Sequence, residues 1–206
     1  MRRKLLKSDP PVWAVELLNW ACERYGVAVP SLRWNQNPSK ARGYAGRAYT
    51  KHNRVMVVEG EDSDYNRGSV LHEAAHQIAF KKGKGAGHSL GFYAICWDLL
   101  LADGLPLEKM VAGEVSYMPC AWPALVQSGV ELSEAVQEVA RIANRQRVLH
   151  RAEIAVDKAA RRVSRSQAGE ASVDWQIYIR ALAKWKKLDD VERQLVSVAR
   201  MPAAGF

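Results

Sequence analysis

Three of the five histidines of the chain fall in one short stretch, LHEAAHQIAFKKGKGAGHSLGF, residues 71–92. It begins with an HExxH motif formed by His72, Glu73 and His76. Residues four apart lie one turn above each other on a helix, so a helix here would direct both imidazoles at a single metal ion. Apolar residues cluster beside the two histidines, and the pattern therefore predicts a half-buried helix that faces a cleft.

A catalytic zinc site has three protein ligands and a water, so the motif needs one more ligand. His88 is the candidate, because a loop with three glycines can bring it back to the helix from twelve residues after His76. Glu73, beside the first histidine, would act as general base on the water. The metzincin continuation is excluded, since Ala79 and Lys82 stand where its Gly and His would be.

The segments on either side of the motif predict an α+β core. Residues 12–25 have the spacing of an amphipathic helix that Gly26 ends. Its predicted buried stripe is Val12, Val15, Leu18, Cys22 and Tyr25. Between residues 31 and 58, β-prone pieces separated by Asn, Pro, Ser and Gly predict two or three short strands in a small antiparallel sheet.

Two helices are predicted to carry the three histidines. The first covers roughly residues 66–81, with Ser63 or Asp64 as its N-cap. The second begins near Ser89 and runs to about Asp103, where Gly and Pro residues stop it.

The C-terminal half predicts a helical extension. Residues 114–130 read as irregular structure, because they contain two prolines and a glycine. A single long helix is predicted from Ser133 to about Arg165, and Ser172 can cap a last helix or helix pair that forms a hairpin with it. The predicted division is a core at 1–115, an irregular connection at 116–130 and a basic helical extension at 131–206.

Positive charge is concentrated in the extension. The chain carries a net charge of +8, and residues 141–165 contribute +6 of it through seven Arg and one Lys against two acidic residues. Five of these form a stripe along one side of the helix: Arg147, Arg151, Lys158, Arg162 and Arg165. Such a face fits contact with nucleic-acid phosphates, and the alternative is a solvated face of an amphipathic helix.

Cysteine usage and hydropathy bound the class of protein. Cys22, Cys96 and Cys120 are far apart and form no CxxC pair, so neither a zinc ribbon nor a disulfide framework is expected. The basic N-terminus lacks the apolar run of a secretory signal, and no stretch has the ~20 apolar residues of a membrane span. A cytoplasmic protein without membrane contact is expected.

The complete pattern is HExxH, a short variable loop, and then His88 with Phe92 four residues later. It resembles the SprT-like zinc metalloproteases and related small metal-dependent hydrolases. The resemblance covers roughly residues 12–103 and implies a minimal zincin core of helix, sheet, HExxH helix and second helix. It also implies one zinc ion per chain and a protein or peptide substrate.

Several alternatives stay open at this point. In the ImmA/IrrE-like regulatory peptidases, which share HExxH, the third ligand is an acidic residue of the following helix, which here is Asp98. Asp98 could otherwise orient a ligating imidazole. Other acidic residues lie further on: Asp103, Glu108 and Glu114. A DNA-binding or assembly protein with a structural zinc site is the alternative from another class.

A peptidase also needs a group that stabilises the developing oxyanion. Three residues are candidates for that role: Tyr93, Tyr117 and His52.

Overall fold

A computed structural model of the chain describes residues 6–36, 46–60, 62–166 and 172–199. The described residues form an α+β structure of four strands and seven α-helices. The strands are β1 Leu6–Ser8, β2 Ser31–Gln36, β3 Gly46–Tyr49 and β4 Arg54–Glu59. The helices are α1 Val12–Arg24, α2 Ser63–Lys81, α3 Leu90–Ala102, α4 Leu107–Tyr117, α5 Ala121–Gln127, α6 Glu134–Ser166 and α7 Val173–Ala199. The predicted class is thereby confirmed.

The sheet is mixed, with the strand order β1-β2-β4-β3. The prediction of an antiparallel sheet is wrong for its central pair, because β2 and β4 run parallel, from Ser31 opposite Arg54 to Gln36 opposite Glu59. The outer pairs are antiparallel. Composition and alternation identify a strand but not its partner. Here β3 pairs with β4 instead of β2, and the position beside β2 is taken by β4.

Helix α2 is the central element of the core. It contacts α1, α3, β3 and β4, and it is buried along most of its length. The helix begins at Ser63, earlier than predicted, because the N-cap is Asp62. The Asp62 carboxylate accepts hydrogen bonds from the backbone N–H groups of Asp64 and Tyr65 at 2.8 and 3.3 Å. Neither predicted cap residue has that role.

Helix α3 packs against α2 and supplies the largest buried side chains of the core. The helix begins next to Ser89, as predicted, and Ser89 is its N-cap, whose hydroxyl accepts from the Phe92 N–H at 3.2 Å. The following residues of α3 are fully buried: Phe92, Tyr93, Cys96, Trp97 and Leu99. The start of α3 is therefore fixed directly after His88.

Helix α1 has the predicted extent, and its buried face agrees with the predicted stripe only in part. Leu18 and Cys22 are buried as predicted, together with Ala14, Leu17 and Ala21. Val12 of the predicted stripe is 72% exposed, and Val15 is also exposed. The buried face is therefore displaced around the helix from the predicted one.

Residues 116–130 are not the irregular connection that was predicted. They contain the end of α4 and the whole of α5. Helix α5 contacts α3, and the Trp97 indole N–H donates to the Ala121 carbonyl at 2.8 Å. Pro123 lies inside the first turn of α5, where a missing backbone N–H is tolerated.

The chain divides into two compact units, residues 1–141 and 142–206. The division falls within α6, whose bounds agree with the predicted long helix. Ser172 caps α7, as its hydroxyl accepts from the Trp175 N–H at 3.1 Å. The pairing of α6 and α7 as a hairpin stays a prediction. None of the helices in the described ranges is long and apolar enough to cross a membrane.

Candidate metal centre

The three histidines of the 71–92 stretch meet at one point. His72 and His76 lie one turn apart on α2, and His88 lies just before the N-cap of α3. The Nε2 atom of His88 is 3.0 Å from Nε2 of His72 and 3.0 Å from Nε2 of His76. These three residues are close enough to hold a metal ion, and the structure brings together every ligand of the predicted set.

Phe92 packs against the three imidazoles. Its ring is fully buried and stacks on His76 with a centroid distance of 4.2 Å. The same ring lies 5.1 Å from the His72 ring and 4.9 Å from the His88 ring. The aromatic residue of the predicted motif therefore contacts all three imidazoles and restricts their rotation.

The backbone of His88 is held by the segment that follows α4. The Cys120 thiol donates to the His88 carbonyl at a distance of 2.9 Å. Together with the Ser89 N-cap, this contact places His88 between α3 and the start of α5.

His72 has a carboxylate partner on its other nitrogen. Its Nδ1 is 2.8 Å from Oε1 of Glu114, on α4, and a carboxylate accepts a hydrogen bond. The Nδ1 atom then carries the proton, which leaves the Nε2 lone pair for the shared point. The second oxygen of Glu114 accepts from the Tyr93 hydroxyl at 3.0 Å.

The histidine pKa values differ within the cluster. Burial lowers the pKa of His76 to about 3, with further lowering from His72 and His88. Burial and the charge of His72 lower the pKa of His88 to about 4. Burial would also lower the pKa of His72, but the charge of Glu114 and its hydrogen bond outweigh burial and raise that pKa. His76 and His88 are therefore neutral near pH 7, the form in which imidazole binds metals.

Glu73 lies on the cleft side of the cluster with its side chain buried. It is 6% exposed, and its Oε2 atom has no hydrogen-bond partner among the described residues. Burial raises the pKa of Glu73 to about 7, against lowering by His72 and by the backbone of Ala48. A carboxylate poised in this range can both accept and release a proton near neutral pH.

Gly46 of β3 makes room for this carboxylate. A Cβ atom at Gly46 would lie 2.6 Å from Cγ and 2.8 Å from Oε1 of Glu73. Such contacts are too close for a real side chain, so Glu73 can occupy its position only because residue 46 is glycine.

A cleft of about 720 Å³ opens over the cluster. Strand β3 and helix α4 form its two walls, and α2 forms its floor with His72, Glu73 and His76. The size is in the range of ligand-binding pockets. Arg47 from β3 and Tyr117 from α4 also line it.

A second set of possible ligands shares His72 with the first. His72, Cys96 and Glu114 have ligand atoms within 4.8 Å of one another. Burial raises the pKa of the Cys96 thiol well above its usual value, which keeps it protonated. Both oxygens of Glu114 already accept hydrogen bonds. The three-histidine set is therefore the better metal site.

Asp98 is not part of the site, which corrects the two roles considered for it. Its carboxylate accepts from Arg24 through two contacts of 2.8 Å and from the Tyr25 hydroxyl at 2.8 Å. These hydrogen bonds connect Asp98, on α3, to the C-terminal end of α1. The acidic side chain after His88 that is hydrogen-bonded to a histidine of the cluster is Glu114, which contacts His72.

The three oxyanion candidates fall in different places. Tyr93 is fully buried and donates to Glu114. His52 is exposed and does not line the cleft. Tyr117 lines the cleft, is 58% exposed, and has its ring centroid 5.0 Å from that of His88.

The five basic residues of the predicted stripe all lie on α6. Arg147 is half-buried, and the other four are exposed: Arg151, Lys158, Arg162 and Arg165. The acidic residues of this segment pair elsewhere, since Asp157 binds Arg161 at 2.7 Å and Glu153 lies 3.5 Å from His150.

The sequence does not single out two important residues of the site. Glu114 is one of several acidic residues after His88, and nothing in its own helix marks it as a partner of His72. Gly46 lies in a short strand, where a glycine gives the signal of a close backbone approach, but its neighbour Glu73 is on another element.

Comparison of the chain with protein-family models, with curated proteins and with solved structures found no match.

Proposed function

We propose that the protein is a zinc-dependent metallopeptidase. The observation that carries the proposal is the convergence of three Nε2 atoms beside a buried carboxylate, Glu73, on the floor of an open cleft. His72, His76 and His88 would hold the ion, and Glu73 would handle the proton of the attacking water.

The donor set fits zinc. Two nitrogens about 2.0–2.1 Å from one tetrahedral ion lie roughly 3.3 Å apart, and the two measured separations are 3.0 Å. Among the described residues, no fourth His, Cys, Asp or Glu joins the three histidines within ligand distance. Three ligands with one open position are typical of a catalytic site, whereas a structural site is closed by a fourth.

Zinc held by these histidines would supply a Lewis acid that lowers the pKa of water and polarises a carbonyl. Glu73 accepts the proton that the water loses as it attacks the peptide carbonyl. The same carboxylic acid then donates that proton to the leaving amine, which restores the carboxylate. Burial of Glu73 and its pKa of about 7 favour this exchange.

The edge strand beside the cleft supports binding of the substrate as an extended peptide. In the part of the chain that the structure describes, β3 is the last strand of the sheet and pairs with β4 alone. Its residues Gly46, Arg47 and Ala48 line the cleft directly beside Glu73. Peptide main chain can therefore add to this edge by strand pairing, which would bring a peptide carbonyl over the metal site.

Tyr117 is the candidate for stabilising the oxyanion. Its phenol is exposed in the cleft beside His88, and none of the carboxylates in the described ranges accepts a hydrogen bond from it as Glu114 does from Tyr93. A hydroxyl in this position can donate to the oxygen that becomes negative when water attacks.

Nucleic-acid binding is a second candidate function, carried by the basic face of α6. Arg151, Lys158, Arg162 and Arg165 are exposed, and no acidic side chain of the described residues pairs with them. Four exposed cations along one helix face fit contact with a phosphate backbone.

The proton-transfer role predicts a separation between metal binding and cleavage. Glu73→Gln should retain equimolar zinc, because residue 73 is not a ligand, but should lower cleavage of an unfolded protein by about 10²–10⁴-fold. Zinc content is measured by mass spectrometry and cleavage by release of labelled peptides. A wild-type protein without stoichiometric metal, or a variant that cleaves like the wild type, would contradict the proposal.

The role of Tyr117 is tested by removing only its hydroxyl. Tyr117→Phe should lower kcat on the order of 10²-fold with little change in KM or zinc affinity, since the hydroxyl acts mainly in the transition state. A rise in KM alone would instead assign Tyr117 to ordinary substrate contact. Steady-state kinetics on a fluorogenic peptide distinguish the two.

Gly46→Ala tests the space that Glu73 occupies. The added Cβ would collide with the Glu73 side chain and also with the Met56 carbonyl oxygen of β4, at 2.7 Å. Both collisions push β3 and the carboxylate apart, and a shift of about 1 Å can cost roughly 10²-fold in kcat. Gly113→Ala is the matched control, because Gly113 also lines the cleft but a Cβ there meets nothing within 4 Å. Equal activities of the two variants would show that the close approach of β3 is unimportant.

Salt titration tests the nucleic-acid candidate. Replacing Arg151, Lys158 and Arg162 by Gln should weaken binding of a DNA duplex and reduce the slope of log K against log salt by roughly 0.9 per lost phosphate contact. Arg161→Gln is the control, because Arg161 is already paired with Asp157. If the salt dependence of the triple variant is unchanged, the basic face of α6 does not contact phosphates and is only a solvated helix face.

A further inference from the structure

Glu114 joins the metal centre to a helix that the HExxH motif does not include. It lies on α4, 42 residues after His72, and its side chain is 16% exposed. In the part of the chain that the structure describes, it is the carboxylate that is hydrogen-bonded to a histidine of the cluster.

We infer that Glu114 is a positioning residue for the metal ligand His72 and that Tyr93 in turn positions Glu114. The inference rests on the metal site proposed above. Glu114 holds the imidazole with Nδ1–H towards α4 and Nε2 towards the point shared with His76 and His88.

The geometry of both carboxylate oxygens supports this role. Oε1 accepts from His72 Nδ1 at 2.8 Å, and Oε2 accepts from the Tyr93 hydroxyl at 3.0 Å. With one donor on each oxygen, the carboxylate cannot rotate without breaking a hydrogen bond. Tyr93 is itself fully buried on α3, next to Phe92, so the arrangement is anchored in the core.

The charge of Glu114 also suits a buried cation. A carboxylate that is mostly removed from water, as Glu114 is, is costly unless a positive charge lies nearby. The hydrogen-bond partners of Glu114 are His72 and Tyr93, and neither is a permanently charged group. A divalent ion on Nε2 of His72 would place two positive charges on the far side of the ring, and the carboxylate would make the imidazole a stronger donor.

The competing role for Glu114 is direct ligation. Glu114 could bind a metal together with Cys96 and Nδ1 of His72, whose ligand atoms lie within 4.8 Å of one another. That site would use the opposite nitrogen of His72 and would include a thiolate. The two arrangements therefore differ in their ligand sets and in their spectra.

The test compares metal affinities of full-length variants, with Zn²⁺ measured by chelator competition and Co²⁺ by visible absorption. Glu114→Ala should still bind an equimolar metal ion at saturation, with an affinity lowered roughly 10- to 100-fold. Glu114→Gln should recover part of this loss, because its amide oxygen still accepts from Nδ1–H. Tyr93→Phe should shift the affinity in the same direction by less, and Glu108→Ala, an exposed glutamate on the same helix, should leave it unchanged.

Three results would overturn the inference. The first is a Glu114→Ala variant that binds both ions as tightly as the wild type. The second is a thiolate-to-cobalt band that disappears in Cys96→Ser, which would make Glu114 a direct ligand. The third is a Glu114→Gln variant no better than Glu114→Ala. If Glu114→Ala does not fold, Glu114→Gln and Tyr93→Phe decide, since each keeps the shape of the side chain.

Failure of the inference is distinguishable from failure of the proposed function. A wild-type protein that binds neither Zn²⁺ nor Co²⁺ overturns the metal site and this inference with it. If the wild type binds metal and Glu114→Ala binds it with the same affinity, only the role of Glu114 is overturned.

Discussion

The meeting of three imidazole nitrogens at one point is the constraint on which the rest of the site depends. Helical spacing on α2 places His72 and His76 one turn apart on the same face. His88 reaches them because α3 begins immediately after it. Phe92, in the first turn of α3, then packs against all three rings. The interface between α2 and α3 thus forms both the core and the candidate metal site, and buried packing holds the three histidines in place.

Two carboxylates beside this point, the buried Glu73 and the half-buried Glu114, have opposite environments. Burial raises the pKa of Glu73 to about 7. At Glu114 burial acts in the same direction, but the charge of His72 and the hydrogen bonds from His72 and Tyr93 outweigh it and lower the pKa. Different environments of this kind separate a group that exchanges protons from one that stays charged. The cleft side of the cluster therefore has proton-transfer capacity, and the α4 side has a fixed negative charge.

The ligand set could be predicted from the sequence because helical spacing and a glycine-containing loop are local properties. The boundaries of α3 and α6 are local for the same reason, through their caps and apolar periodicity. The role of Glu114, the exclusion of Asp98 and the parallel pairing of β2 with β4 depend on which elements become neighbours, and no local pattern encodes that. Asp98 illustrates the limit: an acidic residue on the helix after His88 fits a ligand by position, yet Arg24 and Tyr25 hold it elsewhere.

The number and identity of the protein atoms bound to zinc decide between an open and a closed site. A crystal structure of the zinc-loaded protein with anomalous data at the zinc edge would locate the ion and every atom bound to it. We expect Nε2 of His72, His76 and His88 at about 2.0–2.1 Å, with the remaining position open to water and Glu73 beside it. A fourth protein ligand, or an ion bound between His72, Cys96 and Glu114, would contradict it.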